Sequence, residues 1–209
     1  MKSIAIVDYG MGNLMSVRRA FECVGCKTRL VTTGIEVRKA DYLVLPGVGA
    51  FGDAMMELSK RDLVRPIKEY CKQNRPFLGI CLGMQLMLDA SEESENITGL
   101  GIIEGSVMRL TACTEADMTY KVPNIGWYRI KVQKSPTEIM NGIADEDRFY
   151  FVHSYGAYPV SSVSSVASLQ YGSNSFSVVV RRGNCYGTQF HPEKSGKTGL
   201  KLIHNFVSL

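Results

Sequence analysis

In the run Pro76-Phe-Leu-Gly79-Ile-Cys81-Leu-Gly83-Met-Gln85 a strand-length apolar stretch ends on a cysteine held between two glycines, and a helix-forming composition follows. A Gly-x-nucleophile-x-Gly pattern suits a strand-to-helix elbow, because neighbours without a Cβ let the chain turn sharply and leave the central side chain exposed. At a helix N-terminus the macrodipole and the free backbone N–H groups favour thiolate over thiol, so Cys81 is a candidate nucleophile. The competing reading of this run alone is a buried structural cysteine. A second run, Tyr186-Gly-Thr-Gln-Phe-His191-Pro-Glu193, supplies what a thiol nucleophile needs. Pro192 biases His191 towards an extended conformation, and residues two apart on an extended chain share a face, so the spacing predicts a His191–Glu193 pair on a strand. A carboxylate that orients an imidazole and stabilises its protonated form completes a cysteine-histidine-acid arrangement. Of the other two histidines, His204 falls at helical spacing and reads as a packed or surface residue, and His153 is a weaker candidate.

The elements that would position these groups alternate in the first half. Strands are predicted at Ser3–Val7, near Thr28–Thr32, at Tyr42–Leu45 and at Phe77–Ile80, with helices at Leu14–Val24, near Ala54–Ser59, over Leu63–Asn74 and after Cys81. This is a parallel α/β pattern. The second half is richer in short β segments, near Ser106–Leu110, Trp127–Val132, Arg148–Val152, Val163–Leu169, Ser175–Val180 and Tyr186–Phe190, and a helix closes the chain. No linker or repeat divides it, so one domain over residues 1–209 is expected; Ser161–Ser165 reads as a short loop. Ligands of open parallel sheets bind beyond the carboxyl ends of the strands, and both Cys81 and the loop Pro46–Gly49 follow such ends.

Four tempting motifs fail. Gly10-Met-Gly12-Asn-Leu-Met15 has Met15 where a dinucleotide fingerprint needs its third glycine, and Gly196-Lys-Thr198 lacks the leading glycine of a phosphate loop, His191 standing there. Cys23-Val-Gly-Cys26 has redox spacing but lies where a helix ends and Gly25 can cap it. Met84 and Met87 read as core filler. Composition narrows the rest. At 209 residues, 45% hydrophobic with no long apolar run, the chain suits a soluble globular protein without a membrane span. The N-terminal apolar run meets charge too soon for a signal peptide, and six cysteines with one proposed as a working thiolate suit a reducing compartment, so a cytoplasmic location is expected. A net charge of +4 without basic runs is no nucleic-acid footprint.

Five strings in order, Asp8-Tyr-Gly-Met-Gly-Asn13, Leu45-Pro-Gly-Val-Gly-Ala-Phe-Gly-Asp53, the Cys81 elbow, Phe151-Val-His-Ser-Tyr155 and Gln189-Phe-His-Pro-Glu-Lys-Ser195, make the chain resemble the class I (triad) glutamine amidotransferases, and among them the glutaminase subunits of imidazole glycerol phosphate synthase. The resemblance runs nearly end to end. It implies a flavodoxin-like, open, mostly parallel sheet with helices on both faces and a β-rich second half. It also implies glutamine hydrolysis by Cys81, His191 and Glu193, with neither cofactor nor metal. The oxyanion would meet the N–H of Leu82 and one from Gly47, Val48 or Gly49. One such donor is typically worth about 3 kcal/mol, so a peptide flip in this loop would act as an on/off control by a partner. Gln85 and Glu93 would hold glutamine, Glu93 at its ammonium group, with backbone at Ser154 and Tyr155 near its carboxylate; on sequence alone Glu93, beside Glu92 and Glu95, reads equally as a solvated acidic loop.

The implied partner is a (β/α)8-barrel cyclase subunit that takes the ammonia and makes imidazole glycerol phosphate and AICAR from PRFAR in histidine biosynthesis. Matching positions place Asn13, Asn124, Trp127, Tyr150 and Lys194 at that interface, although Trp127 as a core residue is the plain alternative. Asn124 departs from the pattern, since Pro123-Asn-Ile-Gly-Trp127 stands where the family often has a histidine, and an amide does not titrate. That departure keeps open a related glutaminase serving another acceptor enzyme, such as a surface-sugar amidotransferase. A non-catalytic binding module is the third reading, and the intact triad argues against it.

Overall fold

The computed structural model describes residues 2–115, 118–133 and 137–209. Apolar side chains of the first strands divide between two cores, as the two-residue period of an extended chain demands. In β1 (Ser3–Val7), Ile4 and Ile6 enter one core while Ala5 and Val7 enter the other. After β1 come α1 (Leu14–Cys23), β2 (Lys27–Val31), α2 (Gly34–Arg38), β3 (Tyr42–Gly47), α3 (Phe51–Lys60), α4 (Val64–Lys72) and β4 (Phe77–Cys81). Every residue of β3 and β4 is buried, which a strand covered by helices on both faces requires. In β3, Tyr42 and Val44 join Val17 and Phe21 of α1, whereas Leu43 and Leu45 join Leu58 of α3 and Ile67 of α4.

The chain continues through α5 (Leu82–Gln85), β5 (Ala90–Ser91), β6 (Gly105–Arg109), β7 (Cys113–Glu115), β8 (Met118–Tyr120), β9 (Asn124–Arg129), β10 (Lys131–Val132), β11 (Arg148–His153), β12 (Tyr155–Pro159), β13 (Ser165–Tyr171), β14 (Asn174–Arg182), β15 (Cys185–Thr188) and α6 (Gly196–Val207). Leu202, Ile203 and Phe206 of α6 pack with α1 on one face of the sheet. The main sheet runs β2-β1-β3-β4-β15-β14-β12-β6-β5. Its first five strands are mutually parallel. From β14 the pairing turns antiparallel through β12 to β6. β13 lies on β14 and carries β10, while β9 and β11 form a separate antiparallel ribbon. Among the described residues no helix is long and apolar enough to cross a membrane.

Several expectations shift. The helix expected after Cys81 is a single short turn, α5, before the chain doubles back into β5. The strand expected at Trp127–Val132 starts at Asn124 and is broken at Ile130, and the last strand stops at Thr188 rather than Phe190. Five elements are additional: the short strands β5, β7 and β8, the helix α2 and the strand β12. α2 opens with a capping box in which Thr33 and Glu36 bond each other's backbone N–H, a signal present in the Thr-x-x-Glu spacing. β12 is hidden by its glycine and proline content, yet Gly156 is needed there: a Cβ would stand 2.8 Å from the Phe176 ring, so a larger residue would push the strands apart.

Candidate active site

Three segments leave the sheet side by side. The parallel register sets Gly47 of β3 opposite Cys81 of β4, and Ile80 of β4 opposite Thr188 of β15. Chain beyond these ends therefore converges, and it carries the glycine loop, the elbow and the histidine run. Between them lies a cavity of about 310 Å³, large enough for an amino acid, lined by Val48, Gly49, Cys81, Leu82, Gln85, Glu93, Ser154, Tyr155 and His191 among others.

Cys81 sits at φ 54°, ψ −108°, a backbone state outside the ordinary wells of an L-residue. Only Asp62 and Asn74 share a positive φ among the described non-glycine residues, and both types tolerate it. The strain belongs to the elbow, where it throws the sulfur towards the cavity. The flanking glycines serve close approach rather than unusual torsion, which corrects the sequence-based reason for them. A Cβ at Gly83 would stand 1.8 Å from the Leu45 carbonyl oxygen, and one at Gly79 would stand 2.6 Å from the Gly83 carbonyl oxygen. The Cys81 sulfur has Gln189 Nε2 at 3.8 Å and the Val152 carbonyl at 4.0 Å.

His191 and Glu193 meet, though not on a strand. His191 is extended, at φ −96° and ψ 95°, but Pro192–Lys194 form a 3₁₀ turn that swings the carboxylate back onto the ring. Proline is at home in a first helical turn because its missing N–H would be unpaired there, and that preference overrides strand continuation. Nδ1 lies 2.8 Å from Glu193 Oε1, and both side chains are buried. Two further bonds clamp the backbone: His191 N–H donates to the Tyr150 carbonyl at 3.0 Å, and Ser195 Oγ donates to the His191 carbonyl at 2.7 Å. Burial opposes a charged ring, but the interactions with Cys81 and Glu193 outweigh it and push His191 up to about 10. Nε2 is buried with no partner in hydrogen-bonding geometry. Catalytic hydrogen bonds often tighten only in the substrate complex.

The proposed substrate-binding groups line the same cavity, and two already have partners. Gln85 Nε2 donates to the Tyr155 carbonyl and to Gln189 Oε1, each at 3.1 Å. Glu93 Oε2 accepts from the Phe51 N–H at 2.7 Å, at the first residue of α3, so this carboxylate ties the cavity to the helix that follows the glycine loop. It is half-buried rather than solvated. In the loop itself, Gly47 is buried whereas Val48 and Gly49 are exposed, and Gly49 holds φ 104°. Among the described residues no group accepts from the N–H of Val48 or Gly49. Leu82, as the first residue of α5, has an N–H without an intrahelical acceptor.

Around this centre Trp127 is 48% exposed and lies edge-on to Tyr150 at 5.8 Å, so it is not a core residue. Asn13 and Lys194 are exposed, and Asn13 caps α1 by accepting from the Ser16 N–H. Asn124 is different. It has no exposed surface, so it offers no contact of its own to a partner; its Nδ2 lies 3.1 Å from His153 Nε2. His153 Nδ1 in turn lies 2.8 Å from the Tyr155 carbonyl. Burial, with a smaller contribution from His191, drops His153 to about 4, so the ring is neutral and donates at Nδ1 while accepting at Nε2. Sequence reasoning missed Gln189 as the amide joining Cys81 to Gln85, although it stands two residues before His191. It also missed Ser195, which only the fold brings against Tyr150.

Comparison with known proteins identifies the family. The profile of the glutamine amidotransferase class-I family matches residues 5–209. The chain is 42% identical to imidazole glycerol phosphate synthase subunit HisH 1 of Legionella pneumophila over the whole of both chains. It is 45% identical to the HisH subunit of Syntrophotalea carbinolica, over 97% of this chain and 98% of that one. Among solved structures, PurLQS from Thermotoga maritima superposes with a TM-score of 0.75 at 17% identity, covering 99% of this chain and 98% of that one, a likeness of fold alone. With the profile, the full-length relatives and the fold in agreement, the chain belongs to the class-I glutamine amidotransferases.

Proposed function

We propose that residues 1–209 form one glutaminase domain, the subunit that feeds ammonia to imidazole glycerol phosphate synthesis in the histidine pathway. The observation that carries the reading is the strained Cys81 elbow facing a buried His191–Glu193 pair with a 2.8 Å contact, in a cavity the size of an amino acid. Cys81 passes its thiol proton to His191 as the sulfur attacks the side-chain amide carbon of glutamine, and the oxyanion is met by the N–H of Leu82 and by one from the Gly47–Gly49 loop. The carbon–nitrogen bond breaks as His191 gives its proton to the departing ammonia, leaving a thioester on Cys81. Water, deprotonated by His191, hydrolyses the thioester to glutamate and restores the thiol. Glu193 holds the ring in place throughout.

Glu93 takes the glutamine ammonium with its free oxygen, Gln85 positions the substrate, and backbone at Ser154 and Tyr155 receives the carboxylate. Ammonia passes to a (β/α)8-barrel cyclase subunit seated over Asn13, Trp127, Tyr150 and Lys194, and the pair works in the cytoplasm. The aromatic pair supports this placement, because Tyr150 bonds the His191 backbone while Trp127 faces outward. The decisive experiment is Cys81→Ser in the assembled complex. Glutamine-dependent synthesis should vanish while synthesis from added ammonia continues; loss of both with an intact complex would defeat the division of labour.

A further inference from the structure

Tyr9 follows β1 in the Asp8-Tyr-Gly10-Met-Gly12-Asn13 string, and none of the roles above uses it. Its side chain has no exposed surface, and its hydroxyl is buried without a hydrogen-bond partner. A buried phenol normally finds one, because an unpaired polar group in the interior keeps its full desolvation cost. The position of this hydroxyl gives a reason. It lies against Gly47, where a Cβ would stand only 2.6 Å from the Tyr9 oxygen, and Gly47 is in register with Cys81. Burial first, and then the charge of Cys81, hold the phenol far above its ordinary pKa, so the group is a donor and not a base.

In a planar trans peptide the N–H and the C=O point in opposite directions. When the peptide joining Gly47 to Val48 aims its N–H at the oxyanion, the Gly47 carbonyl must swing to the far side, into buried surroundings where it needs a donor. We propose that Tyr9 is a positioning residue whose hydroxyl donates to the Gly47 carbonyl in that state and so holds the loop in its oxyanion-binding form. Gly47 has to be glycine for the hydroxyl to come this close. The inference rests on the glutaminase reading of the cavity.

Tyr9→Phe removes the hydroxyl and leaves the ring. In the complex with the cyclase subunit and its nucleotide substrate, kcat for glutamine hydrolysis should fall roughly five- to tenfold, the worth of one net hydrogen bond, with KM unchanged. The melting temperature of the isolated chain should stay level or rise, since an unpaired buried group is gone. A merely structural hydroxyl would give the opposite pattern, a lower melting temperature with kcat retained, and that result overturns the inference. So does a fall in kcat that comes with lost stability or a raised KM. Equal kcat in both proteins would sink the role of Tyr9 alone, whereas no turnover in the wild type would sink the glutaminase reading and this inference with it.

Discussion

The elbow at Gly79–Gly83 and the loop at Pro46–Gly49 follow neighbouring parallel strands, and both depend on glycine for opposite mechanical ends. At the elbow the space for a Cβ is filled by backbone: the Leu45 carbonyl stands 1.8 Å from one at Gly83. Backbone in the middle of a sheet cannot yield, so the nucleophile is held in a strained conformation by packing on every side. In the loop, Gly49 has the positive φ of 104°, and a Cβ there would meet only the tip of the Met11 side chain, at 2.8 Å. That neighbour yields easily, and the N–H groups of Val48 and Gly49 are uncommitted among the described residues. The elbow's glycines fix a sulfur; Gly49, unlike the tightly packed Gly47 before it, leaves a peptide free to turn.

The largest effect expected from this contrast is at Gly83. Gly83→Ala forces the Leu45 carbonyl aside and should cost roughly 3 kcal/mol or more, seen in chemical denaturation as failure to fold or a much lower midpoint. A loss within about 0.5 kcal/mol would show that the elbow is not rigid. The rigid side of the comparison extends to His153 under the cavity, and pH probes it. The ring has a folded-state pKa of about 4, below its ordinary value, so its contribution is present above the unfolded pKa and is lost as pH falls through the window down to about 4. The wild type should lose up to about 3 kcal/mol in that window relative to His153→Gln, in which nothing titrates at this site. Parallel stability curves for the two proteins would mean that the buried ring does not hold the framework. The same comparison assigns His191 no loss there, because its raised pKa gives stability that is full below the unfolded value and fades only as pH rises through about 10.

On the mobile side, Gly49→Ala should cost only about 1–2 kcal/mol of stability, from a Cβ at positive φ, yet lower kcat on the order of ten- to a hundredfold through misplaced oxyanion donors. Steady-state glutamine hydrolysis by the complex checks this, and a kcat loss no larger than the stability loss predicts would erase the distinction between the two glycine sets. The smallest effect belongs to Val48→Ala. Val48 is 44% exposed, and its proposed role is through its backbone N–H, so stability should shift by less than about 0.5 kcal/mol and kcat by less than about twofold. A large kcat loss would show that the side chain, not the peptide, does the work.

Local chemistry made much of this site legible. The elbow, the His-Pro-Glu run and the buried strands at β1, β3 and β4 were readable because each is a property of neighbouring residues: glycine spacing, a proline's constraint, apolar alternation. β12 was hidden because its glycine meets Phe176 of β14 and its proline faces Gly105 of β6, contacts that no neighbouring residue announces. The His191–Glu193 pair was found for the wrong geometric reason, since two residues' separation suits a strand and a 3₁₀ turn alike, and only the turn forms. Asn124 read as an interface position and is buried against His153, its partner in the register of the β9–β11 ribbon, a neighbour that only the strand pairing supplies.

The sequence by itself determined which groups are present and how each is held by its neighbours: a cysteine between glycines, an imidazole ahead of a proline and a carboxylate, a glycine loop after a fully apolar strand. Tertiary structure decided that they form one site. Cys81 and His191 are far apart along the chain and meet because β15 lies parallel beside β4, with Thr188 opposite Ile80. It also decided that Gln189 bridges Cys81 and Gln85, that Glu93 ties the cavity to α3, and that the Tyr9 hydroxyl waits against Gly47. The reason is physical. Local propensities act over a few residues, whereas the register of distant strands is set by burying both faces of the sheet at once, and only the whole chain satisfies that condition.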